Sequence, residues 1–242
     1  MRYRSIGIFD SGVGGLTVFK EIANLLPGEN LIYLGDTARV PYGTKSVETV
    51  RRYALEAAEF LVDQEVKLLV VACNTASAVA LPCLRERFQL PVIGVIEPGA
   101  RRAVESRNQR IGVIGTEGTI NSGRYPEAIH SLLPAAQIFS APCPLFVPLA
   151  EEGWAEHKIA RLTASEYLQP LLTAQIDTLV LGCTHYPLLR NTLQQVLGDA
   201  VTLVDSAEET AKLVQQLFRQ QGLENPAPGG GRVFFVTDVP TR

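Results

Sequence analysis

The sequence predicts an α/β fold of two pseudo-symmetric lobes, each with a mostly parallel sheet flanked by helices. Short, fully apolar segments alternate with amphipathic segments of helical length, which is the pattern of parallel strands buried on both faces. In addition, three landmarks of the first half recur in the same order about 105 to 110 positions later, as expected of a duplicated unit. Because ligand sites in such folds lie outside the carboxyl ends of the strands, we expect the active site in the cleft between the lobes.

The overall composition is that of an ordinary globular protein, with 242 residues, 46% of them hydrophobic and 19% charged. The net charge of −3 gives no general attraction to nucleic acid or to anionic membranes, so we expect neither as a partner. No apolar segment approaches the length of a membrane-spanning helix. Residues 1–5 lead directly into a predicted strand without the apolar core of a signal peptide, and we therefore expect a cytoplasmic protein.

The first lobe begins with a strand at residues 3–9, a glycine-rich turn at 10–15 and a helix at 16–26. This order suggests a dinucleotide site, but Thr17 occupies the third glycine position of the G-x-G-x-x-G fingerprint. The sequence around Lys45 lacks the Gly-Lys-Ser/Thr of a phosphate loop. We therefore do not expect nucleotide binding, and interpret the glycines as allowing the backbone to approach a small ligand.

Hydrophobic periodicity predicts the other elements of this lobe. Residues 46–64 place Val50, Ala54, Ala57 and Leu61 at helical spacing, with charged residues on the other faces, and so predict a helix. Further strands are expected at residues 30–34, 68–73 and 91–96, a polar loop at 35–45 and a helix ending at 89.

The second lobe repeats the pattern. Its predicted elements are strands that begin at residues 110, 136, 179 and 201, a proline-rich segment at 141–151 and a helix at 156–172. A helix at 207–221, a loop at 225–231 and a strand at 232–236 follow, and we expect this last segment to pack back on the first lobe. We assign residues 1–97 and 206–242 to the first lobe and residues 98–205 to the second.

Two cysteines occupy matching positions in the two lobes. Cys73 and Cys183 each follow an apolar strand and precede a helix start, with the cap-type residues Asn74 and Thr75 after the first and Pro187 after the second. A helix start offers free N–H groups, which favour a thiolate and attract a carboxylate. We therefore predict a site with one thiol on each side of a small anionic substrate.

The other two cysteines give no such signal. Cys83 lies in a predicted apolar helix and is interpreted as a buried small hydrophobe, whereas Cys143 has no assigned role. The absence of a C-x-x-C pair and the presence of only three histidines argue against a metal site. No lysine has the setting of a pyridoxal Schiff base, so we expect no cofactor.

An amino acid held between two thiols would have its Cα within reach of a base on either face. Removal of the Cα proton is difficult because charge develops beside a carboxylate. Without a pyridoxal or metal cofactor, the reaction relies on a thiolate, a dry pocket and N–H groups directed at the carboxylate. If one thiol removes the proton and the other supplies one to the opposite face, the configuration at Cα inverts.

Several motifs resemble those of the glutamate racemases, and together they extend over nearly the whole chain. The longer ones are Asp10-Ser11-Gly12-Val13-Gly14-Gly15-Leu16-Thr17, Pro41-Tyr42-Gly43, Ala72-Cys73-Asn74-Thr75-Ala76-Ser77 and Gly182-Cys183-Thr184-His185-Tyr186-Pro187. The shorter ones are Gly115-Thr116 with Thr119, Pro148-Leu149-Ala150-Glu151 and Asp205-Ser206-Ala207. Two cysteine motifs in this order are highly specific. The related aspartate racemases usually have a glutamate where this chain has His185.

The resemblance implies a pyridoxal-independent enzyme that interconverts L- and D-glutamate and supplies D-glutamate for peptidoglycan synthesis, and we expect a homodimer. It implies that Cys73 acts on D-glutamate and Cys183 on L-glutamate, with Asp10 and His185 assisting the respective thiols. It also implies residues that hold the substrate or support the site: Ser11, Pro41, Tyr42, Gly43, Asn74, Thr75, Thr119, Glu151 and Thr184. Glu152 is as eligible as Glu151 from the sequence.

Alternatives stay open at this point. Another cofactor-independent racemase, acting on aspartate or a hydantoin, would share the same plan. A non-catalytic ligand-binding protein would share the two lobes, although the paired cysteines and the lack of a signal peptide argue against it. An additional role towards DNA gyrase, found in some members of the resembled family, has no feature in the sequence that tests it.

Overall fold

The computed structural model describes residues 2–227 and 229–238, and its two parallel sheets flanked by helices confirm the α/β prediction. In chain order the strands are β1 (Ile6–Asp10), β2 (Leu31–Gly35), β3 (Leu68–Val71), β4 (Val92–Gly94), β5 (Arg110–Gly115), β6 (Gln137–Pro142), β7 (Thr178–Gly182), β8 (Thr202–Asp205) and β9 (Arg232–Val236). The first sheet has the order β4-β3-β1-β2-β9 and the second the order β6-β5-β7-β8.

The helices cover both faces of these sheets. They are α1 (Leu16–Leu25), α2 (Val47–Asp63), α3 (Asn74–Arg87), α4 (Ile96–Ala103), α5 (Glu117–Asn121), α6 (Arg124–Leu132), α7 (Phe146–Glu151), α8 (Lys158–Thr173), α9 (Arg190–Leu197) and α10 (Ser206–Gln221), with 3₁₀ turns at Tyr42–Thr44 and Tyr186–Leu189. Among the described residues, no helix is both long and apolar enough to cross a membrane.

The apolar strands are buried on both faces, as their composition predicts. In β3, Leu69 and Val71 face the core formed with α2 and α3, whereas Leu68 and Val70 face the core formed with α1 and α10. The β7 strand alternates in the same way, with Leu179 and Leu181 on one side and Val180 on the other. Because successive side chains of a strand point to opposite faces, a strand between two helix layers needs an apolar residue at every position.

The register of the strands brings the polar turns to one edge of each sheet. Asp10, the last residue of β1, pairs with Gly35 of β2, and β3 on the other side ends at Val71. In the second sheet Gly115 of β5 pairs with Gly182 of β7. The turns that follow these strands, which contain Cys73 in the first sheet and Cys183 in the second, therefore lie at the carboxyl edges.

The structure differs from the predicted elements in three places. The strand expected at residues 91–96 ends at Gly94, and α4 begins at Ile96 with Glu97 and Pro98 in its first turn, where an acidic residue and a proline are both favourable. The proline-rich segment contains α7, and residues 117–132, for which we predicted no helix, form α5 and α6. These helices are short, so each contains few apolar residues at helical spacing, and the sequence pattern that predicts a helix is weak.

The chain returns to the first sheet at its end. The β9 strand pairs in parallel with β2, with Phe234 opposite Tyr33, so the prediction that this segment packs on the first half is confirmed. The strands of the first sheet come from residues 6–94 and 232–236, and those of the second from residues 110–205. The duplication and the lobe boundaries stay predictions, and residues 1, 228 and 239–242 of the predicted first lobe lie outside the described residues.

Candidate active site

A small cavity lies where the carboxyl edges of the two sheets meet, and both Cys73 and Cys183 line it. Most of the predicted site residues contribute to its wall: Ser11, Pro41, Tyr42, Gly43, Cys73, Asn74, Thr75, Cys183, Thr184 and His185. Asp10, Thr119 and Glu151 lie behind this wall and contact it.

Cys73 is the N-cap residue of α3, and its Sγ accepts a hydrogen bond from the Ala76 N–H at 3.5 Å. The side chain is only 5% exposed. Burial, together with the negative charge of Asp10, raises the pKa of the Cys73 thiol to about 12, against the lowering effects of the Ala76 N–H and the Ser11 hydroxyl. The prediction that the helix start favours a thiolate is therefore wrong for Cys73, because desolvation outweighs the N–H group.

Asp10 is fully buried and joins the two halves of the molecule. Its Oδ2 accepts from the Gly12 N–H at 3.1 Å, and its Oδ1 accepts from the Thr184 hydroxyl at 3.3 Å. Burial raises the pKa of the Asp10 carboxyl, against the lowering effects of the His185 charge and of these hydrogen bonds. The environment therefore favours the neutral acid more than an exposed site would.

Cys183 follows β7 and lies beside His185, whose Nδ1 is 3.9 Å from the Cys183 Sγ. The other ring nitrogen of His185, Nε2, is 3.2 Å from Oε1 of Glu151. Burial lowers the pKa of His185, but the contacts with Cys183 and Glu151 and the charge of Asp10 outweigh it and raise the pKa to about 10. His185 is therefore an imidazolium at neutral pH, and its side chain makes no capping hydrogen bond to the 3₁₀ turn that follows.

Three threonine hydroxyls connect the halves on the Cys73 side of the cavity. The Oγ1 atom of Thr75 lies 2.9 Å from that of Thr116 and 3.2 Å from that of Thr119, and the latter two are 3.1 Å apart. Thr116 lines the cavity but was absent from the predicted site residues. Its position as the N-cap of α5, where its hydroxyl accepts from the Thr119 N–H, is the sequence signal that identifies it.

A buried carboxylate that the sequence did not reveal holds the turn containing Tyr42. Asp36 has no exposed surface, and its Oδ2 accepts from the Tyr42 hydroxyl. The Arg39 guanidinium lies 2.7 Å from the same oxygen, and the Thr237 hydroxyl donates to Oδ1 at 2.8 Å. A lone aspartate in a polar loop gives no such signal from the sequence, because hydrophobic periodicity does not report side-chain hydrogen bonds and its Thr237 partner lies far away in the chain.

At several glycines of the site, atoms of other residues lie close to the backbone, in the space that a Cβ would occupy. A Cβ at Gly14 would lie 2.6 Å from Nδ1 of His185 and 2.6 Å from Oγ1 of Thr184. A Cβ at Gly43 would lie 2.4 Å from Cβ of Thr116. These glycines thus permit close contact between the two halves, and the interpretation that they let the backbone approach a small ligand stays a prediction.

The remaining cysteines lie outside the cavity wall. Cys143 is fully buried, and Cys83 is half-buried with its Sγ donating to the Ala80 carbonyl, so the interpretation of Cys83 as a buried residue holds only in part. Within the described ranges, no three His, Cys, Asp or Glu side chains converge in a way that could hold a metal ion.

Comparison with known proteins identifies the family of the chain. Residues 6–214 match the family model of the Asp/Glu/hydantoin racemases. The chain belongs to this racemase family. It is thus an isomerase of the racemase class.

Members of the racemase family are similar along nearly their whole length. The curated glutamate racemase of Geobacter metallireducens is 59% identical over 242 residues, which are 99% of this chain and 90% of that protein. The crystal structure of a glutamate racemase isoform from Bacillus anthracis matches with a TM-score of 0.96 at 43% identity, covering 99% of this chain and 90% of that one. The Francisella tularensis glutamate racemase, solved in complex with D-glutamate, matches with a TM-score of 0.95 at 41% identity, covering 100% and 90%.

Proposed function

We propose that this racemase interconverts L- and D-glutamate by transferring protons at Cα between two cysteines, without a cofactor. The observation that supports this most strongly is that Cys73 and Cys183 reach one small cavity from different sheets. The similarity to glutamate racemases, among them one solved with D-glutamate, supports glutamate as the substrate.

In the direction from L- to D-glutamate, we assign the base to Cys183 and the acid to Cys73. The Cys183 thiolate takes the Cα proton, and the neutral Cys73 thiol gives a proton to the opposite face of the carbanion. The raised pKa of Cys73, about 12, suits a group that has to keep its proton until the carbanion forms. In the reverse direction the two sulfurs exchange roles.

Asp10 and His185 assist these sulfurs in different ways. His185 at 3.9 Å from Cys183 Sγ, with Glu151 on its far nitrogen, is placed to exchange a proton with that sulfur between turnovers. Asp10 acts on the Cys73 side, where its charge influences the pKa of the thiol.

The substrate carboxylate beside Cα is assigned to the start of α3. Asn74 and Thr75 form its first turn and line the cavity, so their free N–H groups and side chains can donate to the carboxylate. We assign Ser11, Thr184 and the segment Pro41-Tyr42-Gly43 to the remaining wall that holds the substrate. N–H groups that stabilise the carboxylate also stabilise the charge that develops on Cα in the transition state.

Racemisation followed by circular dichroism tests this function. Purified protein, without added pyridoxal phosphate or metal, should racemise L- and D-glutamate and, in deuterium oxide, introduce deuterium at Cα. Racemisation of aspartate in preference to glutamate would contradict the proposed substrate, and binding of glutamate without deuterium exchange at Cα would contradict its racemisation by this enzyme.

We further propose that the product D-glutamate serves peptidoglycan synthesis and that the enzyme is a homodimer. Expression of the chain should allow a bacterial strain without its own source of D-glutamate to grow without added D-glutamate, and Cys73→Ser should fail to do so. Light scattering coupled to gel filtration measures the oligomeric state, and a monomer at all concentrations would contradict the dimer.

A further inference from the structure

We propose that Tyr125, a residue of α6, is a positioning residue for substrate binding: its hydroxyl orients the Asn74 carboxamide so that the NH₂ group faces the substrate carboxylate. The inference rests on the proposed function, since it concerns how the same cavity holds an amino acid. None of the sequence motifs described above contains Tyr125.

The hydrogen bond between these residues fixes one end of the amide. The Tyr125 hydroxyl donates to Oδ1 of Asn74 at 2.7 Å, with Tyr125 1% and Asn74 3% exposed. Because the carbonyl end of the amide is engaged, the NH₂ end must face a different direction. Asn74 lines the cavity next to Cys73, so the amide is at the place where the substrate carboxylate is expected.

The NH₂ group of Asn74 lacks the partner that a buried donor normally has. Its Nδ2 atom is buried and has no hydrogen-bond partner among the described residues. Buried polar groups of proteins are almost always hydrogen-bonded, and those that are not point to a bound ligand or a functional role. A carboxylate in the cavity, which accepts hydrogen bonds only, supplies the missing partner.

The Tyr125 ring is held in place by residues of α4, α10 and the end of β7. Ser206, at the start of α10, lies near the phenol oxygen, where its side chain partly offsets the rise in the pKa of Tyr125 that burial causes. A Cβ at Gly99 of α4 would lie 3.2 Å from that oxygen, and a Cβ at Gly182 would lie 3.1 Å from Cε2 of the ring. Tyr125 thus contacts the residue that follows Cys73 and the residue that precedes Cys183, and has little freedom to move.

The hydroxyl, rather than the ring, is the part that serves this role. The ring packs in an apolar cluster with Ile129, Val180 and Val204, where a phenylalanine would pack equally well. A hydroxyl in such a cluster is unfavourable unless it is hydrogen-bonded. Its bond to Asn74 runs from a helix of the second half to the first turn of α3, so the amide is set correctly only when the two halves are in place.

Tyr125→Phe tests the proposal, because it removes the hydroxyl and retains the ring. We expect KM for both glutamate enantiomers to rise about five- to tenfold, the effect of one misplaced hydrogen bond, while kcat changes less. Tyr167→Phe is the matched control: its hydroxyl accepts from the Leu145 N–H in a half-buried position outside the cavity wall, and KM should stay unchanged.

A double-mutant cycle separates positioning from general stability. If Tyr125 acts through Asn74, Tyr125→Phe should raise KM in the wild-type background and leave it unchanged in the Asn74→Ala background. An equal rise in both backgrounds, or a lower melting temperature with an unchanged KM, would overturn the proposal. A wild-type enzyme that does not racemise glutamate would overturn the proposed function instead, so the two failures are distinguishable.

Asn74→Asp provides a second measure that does not depend on how Tyr125→Phe folds. The aspartate retains an acceptor for the Tyr125 hydroxyl but replaces the NH₂ group by a carboxylate oxygen. We expect loss of glutamate binding by isothermal titration calorimetry with D-glutamate as the probe. Binding of D-glutamate at wild-type affinity would show that the NH₂ end does not face the substrate.

Discussion

At the residue scale, the two cysteines hold equivalent places in their sheets but have different neighbours. Cys73 is buried beside the Asp10 carboxyl and the Ala76 N–H, and its thiol has a pKa of about 12. Cys183 lies beside His185, which is an imidazolium at neutral pH. The two directions of the reaction therefore start from different protonation environments, and we expect their kcat values to differ.

Cys73→Ser and Cys183→Ser should each reduce racemisation by roughly 10²–10⁴-fold, because a serine hydroxyl is a far weaker acid than a thiol and does not ionise to the base that the reaction needs. Binding of D-glutamate should change little, since neither sulfur is assigned to hold the carboxylate. Circular dichroism assays and calorimetry measure the two effects. Cys83→Ser, which lies in α3 outside the cavity wall, is the control and should retain activity. Wild-type rates in the Cys73→Ser enzyme would exclude the two-cysteine mechanism.

The raised pKa of His185 predicts how stability depends on pH. A group whose pKa is raised in the folded state stabilises it fully below the unfolded value of 6.5, progressively less above it, and no longer once the pH passes the folded value of about 10. Wild type should therefore be more stable than His185→Gln at neutral pH, and this difference should shrink towards pH of about 10. Urea denaturation of both proteins at several pH values measures it. A difference that grows with pH would contradict the assigned imidazolium.

At the element scale, the sequence predicted the strands that deliver the cysteines because their burial on both faces leaves an uninterrupted apolar segment. It did not predict α4, since the apolar residues of β4 continue into Ile96 and conceal the boundary. Tyr125 and Asp36 gave no signal for a different reason. The Asn74 partner of Tyr125 and the Thr237 partner of Asp36 are distant in the chain, and hydrophobic periodicity describes only which face of an element is buried.

The turn between β1 and α1 should tolerate no side chain at Gly14. Gly14→Ala would place a Cβ 2.6 Å from His185 Nδ1, so the imidazole has to move away from Cys183. We expect kcat to fall by up to about 10²-fold, as displacements of about 1 Å in a catalytic group can cause. Gly231→Ala is the control, since its Cβ would meet only the Asn30 Oδ1 at 3.4 Å and lies away from the site. Full activity of Gly14→Ala would mean that the position of His185 is not critical.

The loop after β2 depends on the buried Asp36. Asp36→Asn replaces one of its two acceptor oxygens by a donor, so one of the groups that Asp36 accepts from, on Arg39, Tyr42 or Thr237, loses its acceptor. We expect the free energy of unfolding to fall by about 1–3 kcal/mol and KM to rise, because Tyr42 lines the cavity.

Glu56→Gln is the matched control for Asp36→Asn. Glu56 also pairs with Arg39 but is half exposed, so its loss should change the free energy of unfolding by less than about 1 kcal/mol. Urea denaturation and steady-state kinetics measure both variants. An Asp36→Asn enzyme with wild-type KM would show that the Tyr42 turn holds its position without this carboxylate.

At the scale of the whole molecule, the site is closed in this structure. Cys73 is 5%, Cys183 7% and Cys143 0% exposed, whereas Cys83 is half-buried. Alkylation by iodoacetamide under native conditions should therefore modify Cys83 first, and D-glutamate should slow the modification of Cys73 and Cys183 further. Mass spectrometry of peptides identifies the modified positions, and protein unfolded in urea is the control in which all should react. Fast native modification of Cys73 would contradict a closed site.

Several hydrogen bonds that join the two halves end beside the reactive sulfurs: Thr184 to Asp10, Thr75 to Thr116 and Tyr125 to Asn74. Any separation of the halves that lets an amino acid enter must break them, and it also removes each sulfur from its counterpart. Under the proposed mechanism, the pairing of Cys73 with Cys183 would therefore be coupled to substrate binding and closure of the two halves. In that mechanism, an enzyme whose halves have separated would hold no facing pair of sulfurs, and a carbanion formed in the closed site would regain a proton before its release.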